Sequence, residues 1–283
     1  MTWSGTGTPV TTTTSVGPAL STSGGCYARP VDLKAYLGIT DTDDDALMLS
    51  LCERARAKID EYCNRHFLPR VATRYYDANG LGDTLMLGHD LASVTTFTNG
   101  DGDVFTSAQY HLYPVSGPPY SWIELDSSRG ILFEYSTTPQ RAISIVGLWG
   151  WAETLLSTGT TAAAIATTTT TTVTPSSMAD FEVGDMLKVE SEYMYVRVNG
   201  ASTLTVVRGF NGSTAATHSA STAIYWVRPP DGIHRIATRL TAWYMRQKDA
   251  PFETSGYPAT GLVSVPAELP LDIKGDLHPW VRW

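Results

Sequence analysis

One run constrains the fold more than any other part of the chain, the helical repeat between Ala46 and Arg65. Leu47, Leu51, Ala55, Ile59 and Cys63 stand four residues apart, and Met48, Cys52 and Tyr62 widen the stripe. The other face carries Glu53, Arg54, Lys58, Glu61 and Arg65, with Glu61 and Arg65 spaced as a favourable i,i+4 pair. Each large apolar member contributes roughly 1.5–3 kcal/mol on burial, so such a helix must lie against something. Asp41, Asp43, Asp44 and Asp45 precede it. Their alternate spacing resembles a calcium loop, but Ala46 stands where that loop needs Gly and Cys52 where it needs a closing Glu. These acids are therefore read as the cap of a helix N-terminus. Just upstream, RPVDLKAYLGI predicts a short helix entered at Pro30 and closed by Gly38.

A chain of 283 residues can bury one large core or two modest ones. Its net charge of −8 and pI near 5.2 argue against gripping nucleic acid by phosphate neutralisation. Cys26, Cys52 and Cys63 are odd in number and lack CxxC spacing, so neither a disulfide framework nor a zinc site is expected. No basic start followed by an apolar stretch opens the chain, and no apolar run approaches membrane-spanning length. The expectation is a soluble protein of a reducing compartment, with no membrane partner.

Residues 1–28 hold no charge and are rich in Thr, Ser and Gly, a composition that cannot build its own core. From Val71 to Trp151 the period changes to two. ATRYYDANG, DTLMLGH, ASVTTFTNGDGDVF, WIELD, GILFEYS and AISIVGLWGW predict about six strands, with Asn79-Gly80 and Asn99-Gly100 as type I′ hairpin turns. Asp77, Asp101 and Asp103 are read as turn formers. Residues 154–179 are again uncharged and are read as a linker or extended arm. The uncharged arms are expected to become ordered only against a neighbouring subunit or partner. A second β block of about five strands follows, turning at Asn199-Gly200 and Asn211-Gly212 and suggesting a small barrel or sandwich. The helical period then returns in GIHRIATRLTAWYMRQKD, capped by Asp231, with Ile233, Ile236, Ala237, Leu240, Trp243 and Tyr244 on one face and Pro251 ending it.

This order predicts an α+β fold, in which two long amphipathic helices pack with an antiparallel β-sheet region. It divides the chain into an N-terminal arm (1–28), a core domain (29–151 and 228–283) and an inserted small all-β module (152–227). The insert is expected to be removable, leaving a folded core.

Reactive groups do not converge in the sequence. The six histidines, at 66, 89, 111, 218, 234 and 278, form no HxxxH or HxH pair, and GxSxG, Walker and GxGxxG motifs are absent. The GLGD turn at 80–83 precedes no helix, so it does not read as a phosphate cradle. Glu124, Asp126 and Glu134 could approach across strands, but alternation facing solvent is the simpler reading. The chain is read as non-enzymatic, with no catalytic residue, cofactor or metal. Its Trp and Tyr content admits a carbohydrate-binding or host-recognition module as the alternative, and a glycosidase-like enzyme as a third reading. Most of these aromatics sit in periodic runs, where core packing is the default.

The whole plan resembles the head–tail connector, or adaptor, proteins of long-tailed bacteriophages. The resemblance is carried by VDLKAYLGITDTDDDALMLSLCERARAKIDEYCNRHF at 31–67 and by YYDANGLGDTLMLGHDLASVTTFTNGDG at 75–102. RLTAWYMRQKDAPFE at 239–253 and LPLDIKGDLHPWVRW at 269–283 complete it. Residues 152–227, where the family passes almost directly to its later helix, and the long lead-in 1–28 are departures. The resemblance implies a dodecameric ring under the portal protein, in the virion neck, extending the channel through which double-stranded DNA passes. It implies a tail-side neck or stopper protein as a further partner, and synthesis in the bacterial host cytoplasm. His278, Trp280, Arg282 and Trp283 are the expected portal-docking residues, because Trp and Arg dominate binding hot spots and Pro279 stiffens the tail. Glu53, Arg54, Lys58 and Glu61 are the expected inter-subunit residues.

Overall fold

The structure is a computed structural model, and it describes residues 22–78, 80, 82–248 and 269–282. Among the described residues, four α-helices and two antiparallel six-stranded sheets make an α+β fold. The chain opens with α1 (Pro30–Leu37) and α2 (Asp45–Cys63) and closes with α3 (Asp231–Gln247) and α4 (Leu271–Leu277). The first sheet holds β1 (Arg70–Tyr76), β2 (Thr84–Thr98), β3 (Val104–Phe105), β4 (Tyr110–Tyr113), β5 (Tyr120–Leu125) and β6 (Ile143–Trp149). Its order is β1-β6-β2-β5-β4, with β3 added on β2. The second holds β7 (Thr154–Thr160), β8 (Thr172–Val173), β9 (Met186–Val189), β10 (Glu192–Asn199), β11 (Leu204–Val207) and β12 (Ala223–Arg228), in the order β7-β12-β9-β10-β11-β8.

α1 ends as expected, with Gly38 left-handed (φ 71°) and its N–H bonded to the Lys34 carbonyl. In α2 the buried stripe is Met48, Cys52, Ala55, Ile59 and Cys63, while Leu47 is 36% exposed. A strict four-residue repeat drifts by about 40° per step on a helix of 3.6 residues per turn, whereas steps of four and three hold one face. The acids at its start do not cap it: the N-cap residue Asp44 makes no side-chain capping bond. Asp44 instead pairs with Lys248 beyond α3, and Asp45 with Lys34 of α1. The expected Glu61–Arg65 pair is replaced by Lys58–Glu61 (3.2 Å) and Arg65–Asp90 (3.4 Å). α3 has Pro230 as N-cap, with Asp231 as its first helical residue and paired to Arg228. Pro251 lies outside the described residues.

Within the first sheet, DTLMLGH and ASVTTFT form one long strand, β2, bent at Gly88 (φ 62°) with its register shifted between Met86 and Leu91. GILFEYS is no strand; it contributes an isolated bridge from Tyr135 to Gly100, and the sequence reading missed YHLY as β4. Asn99-Gly100 lies in a longer loop between Thr98 and Val104, and Asn199-Gly200 opens a loop closed by Gly200 N–H to Thr203 O (2.9 Å). Neither is a two-residue hairpin. Asn211-Gly212 lies in a 3-10 turn, with the Asn211 amide donating to Pro69 O (3.0 Å). Asn79 lies outside the described residues.

The supposed linker 154–179 folds into the chain's own second sheet. β7 pairs with β12 from Thr154↔Arg228 to Thr160↔Ala223, and β8 pairs with β11. Its many Thr residues suit extended strands more than solvated coil. Residues 26–28 of the expected arm are buried core, and residues 1–21 lie outside the described residues.

The second sheet is continuous in sequence but shared in packing. On β10, Tyr193 and Tyr195 join the core built by α2, α3, α4 and Tyr27, while Met194 and Val196 join the sheet's own core with Ile165, Phe181 and Leu204. Strand alternation sends successive side chains to opposite faces, so β10 is buried on both. Several buried polar groups within this sheet are paired. Arg208 donates twice to Glu192 (2.7 Å each), and His218 Nε2 lies 2.9 Å from the same carboxylate. Arg29, the N-cap residue of α1, grips Asp185 through Nε (2.7 Å) and Nη2 (3.1 Å).

Candidate functional site at the C-terminal junction

Four segments converge where α2 ends. Asn64 turns left-handed (φ 51°), closing the helix, and Arg65 and His66 follow before the chain enters β1. The bend in β2 brings His89 and Asp90 alongside, and Gly150 after β6 donates its N–H to the Asp90 carbonyl (2.9 Å). Gly150 has φ 136°, and a Cβ there would lie 2.9 Å from the Leu68 carbonyl oxygen, so only glycine fits this approach. The C-terminal tail arrives last, with Arg282 N–H donating to the Cys63 carbonyl (2.9 Å).

These segments line a cleft of about 370 Å³ formed by Asp60, Arg65, His66, Arg74, His89, Asp90 and Arg282, among others. Asp90 is buried between two arginines: Arg282 Nη1 donates to Oδ1 at 3.3 Å and Arg65 Nε lies 3.4 Å from Oδ2. Burial raises its carboxyl above the usual range despite those cations. Asp60 accepts from Tyr27, from Arg56 (2.9 Å) and faces His66 Nδ1 (2.9 Å). Arg65 stacks over Trp151 (4.9 Å) and Arg74 over Trp149 (4.8 Å). Burial lowers both guanidiniums, and in Arg74 the nearby Arg70 and Arg282 add to that effect. His89 is lowered by partial burial, then by Arg74 and Arg282. The junction can hold an anion or dock a partner segment.

Of the expected docking residues, Arg282 lies in this cleft and His278 is exposed. Trp280 is half-buried against Phe67 (5.7 Å) and Trp151 (5.2 Å), with its ring turned into its own domain. Trp283 lies outside the described residues. The expected inter-subunit residues have partners within the chain: Glu53 with Arg197 (2.7 Å), Arg54 over Tyr244 (4.4 Å) and Lys58 with Glu61. Arg74, His89 and Asp90 were missed. The available signal was Gly88 beside a buried acid inside a β-rich run, the mark of a bulge. Glu124 stands opposite His111 across the sheet, while Asp126 turns onto Ser128 and Arg129. Among the described residues no group of His, Cys, Asp or Glu is arranged to hold a metal, and no helix is long and apolar enough to cross a membrane.

Residues 31–87 match the model of the phage gp6-like head-tail connector protein family. That segment is of the head–tail connector family. It runs from α1 through α2 and β1 into β2, supplying Asp60, Arg65, His66 and Arg74 of the cleft. His89, Asp90 and the tail lie beyond the match. No curated protein matches the chain.

Proposed function

We propose that the chain is a structural component of a tailed phage's neck, a ring that sits under the portal protein, joins capsid to tail and continues the DNA channel. The connector match over α1, α2 and β1 carries this reading. The partners are further copies of the chain, twelve in the ring by the resemblance, the portal above and a tail-side neck protein below, with DNA in transit. The host cytoplasm is the place of synthesis, and the protein performs no catalysis. Within it the arm of 1–28 ends in the core residues Cys26, Tyr27 and Ala28, the core is 29–151 and 228–283, and 152–227 is an all-β insertion between two long amphipathic helices, α2 and α3. Thr154 and Arg228 are register partners, so the ends of that insertion lie side by side.

The C-terminal stretch His278, Trp280, Arg282 and Trp283 is the proposed portal contact, with Trp280 bracing it against its own domain and His278 exposed. Glu53, Arg54, Lys58 and Glu61 lie on the face of α2 proposed to meet a neighbouring subunit, with Glu61 the most exposed of the Lys58–Glu61 pair. Co-sedimentation of the purified chain with portal-bearing particles tests the reading. Saturable binding, lost when His278 and Arg282 are both changed to Ala, is expected. A chain that ignores portal particles but is retained on immobilised glycans overturns it in favour of host recognition.

A further inference from the structure

The ion pairs of the junction cleft do not close. Asp90 is taken by Arg65 and Arg282, Asp60 by Arg56, Tyr27 and His66, and Glu61 by Lys58. Arg74 is left over. It lines the cleft, its Nε is buried without a hydrogen-bond partner, and no carboxylate pairs with it among the described residues. Arg70, the next charged residue along β1, has an equally unpartnered Nε and adds positive charge beside it. Stacking on Trp149 holds the Arg74 guanidinium in place, so little freedom is lost when an anion arrives.

The complementary group stands near the opposite end of α2. Asp41 and Asp43 are exposed, and no cation pairs with either among the described residues, whereas Asp44 and Asp45 are engaged with Lys248 and Lys34. A surplus of arginine beyond one end of a 19-residue helix and a surplus of carboxylate before the other cannot meet within one protomer. Two different patches that complement each other are what a head-to-tail contact between identical chains requires, and such contacts close into a ring when the rotation between neighbours closes. We propose that the Arg74 cleft receives the Asp41–Asp43 loop of a second copy of this chain. A cleft of about 370 Å³ suits one or two side chains of a loop better than a helix. The net charge of −8 disfavours duplex DNA as the occupant.

The proposal rests on the ring reading only in requiring that copies meet, and portal binding tests that reading separately. The test is charge reversal in the full-length chain, read by sedimentation and native mass. Arg74→Glu alone, or Asp41→Lys with Asp43→Lys, should weaken self-association by on the order of tenfold or more. An equimolar mixture of the two variants should restore it, because each then offers the other a complementary partner. Asp41 and Asp43 are exposed, so the loop variant remains informative should Arg74→Glu fail to fold; Arg74→Gln then takes its place, with weakened association expected. A disulfide formed between chains carrying Asp41→Cys and His89→Cys would add direct proximity. Wild-type chains that stay monomeric at all concentrations overturn the proposal, as do variants that assemble normally and a mixture that does not recover. Loss of duplex-DNA retention by Arg74→Glu with unchanged assembly also overturns it, assigning the cleft to phosphate.

Discussion

Trp280 decides whether the end of the chain is part of the core or a free docking element. Its ring lies against Phe67 and Trp151, edge-on to each, and a Cβ built at Gly232 of α3 would come within 2.8 Å of it. Removing a fully buried Trp costs about 3–5 kcal/mol, and aromatic pairs of this kind add roughly 0.5–1.5 kcal/mol beyond area burial. Trp280 is only half-buried, so Trp280→Ala should cost about 2–3 kcal/mol. For a chain of this size each kcal/mol moves the midpoint by roughly 2–4 °C, so Tm should fall by about 4–12 °C in a thermal melt followed by circular dichroism. Gly232→Ala approaches the same contact from the helix side and should also lower Tm. A Trp280→Ala protein that melts within about 1 °C of wild type while losing portal binding would falsify the packing argument. The ring would then serve a partner and not its own domain.

Glu192→Gln should destabilise the second sheet by about 3–5 kcal/mol, because Arg208 and His218 would lose their buried partner; a denaturant midpoint unchanged from wild type refutes this. Burial opposes ionisation of Glu192, but Arg208, the Ala216 and Gly209 N–H groups and His218 outweigh it and hold its pKa below the usual value. Its contribution is therefore present above the unfolded pKa and lost as pH falls through the folded one, so acid should narrow the gap between wild type and variant. Asp185 is the opposite case. Burial pushes it up to about 7 from 3.8, against the pull of Arg29. A carboxyl raised on folding stabilises at low pH, and that contribution fades as pH climbs from about 4 to about 7. The Tm difference between wild type and Asp185→Asn should shrink across that window, and a difference that grows would show the Arg29 ion pair to be dominant. Replacing 152–227 by a short linker would strip Met186, Tyr193, Tyr195, Phe210 and Val227 from the helical core. It should abolish the cooperative melt, and a linker variant with a sharp transition near the full-length Tm restores the idea of a removable module.

The elements that could be read from the sequence were those whose periodicity is set locally. Gly38 closing α1, the apolar face of α3 and the alternation of β6 all follow from side-chain geometry within one element. The errors arose where tertiary partners decide. Thr-rich 154–179 looked like coil because composition says nothing of the neighbour, β12, that supplies its hydrogen bonds. Asn-Gly pairs predicted tight hairpins, yet Asn211 is used as a buried bridge from the second sheet to Pro69 and to the Gly24 N–H (2.8 Å). Asp44 and Asp45 looked like caps and are ion-paired to Lys248 beyond α3 and Lys34 of α1, a choice made by helix packing.

The candidate site was the least legible part for the same reason. Its groups come from α2, β1, β2 and the C-terminus, and among its lining residues the sequence marks only Arg282 and Glu61 as contact candidates. The sequence showed Asp90 as one polar residue in a strand pattern, and such residues usually face solvent. Here the bend at Gly88 turns it inward, where burying a carboxylate requires cations nearby. Arg65 and Arg282 meet that requirement, and the positive charge crowded around one acid then leaves Arg74 over. A single bulge thus converts an ordinary strand into the anchor of a cleft with an unmatched cation. That unmatched charge, more than the tail aromatics, is where a partner's carboxylate has the most to gain.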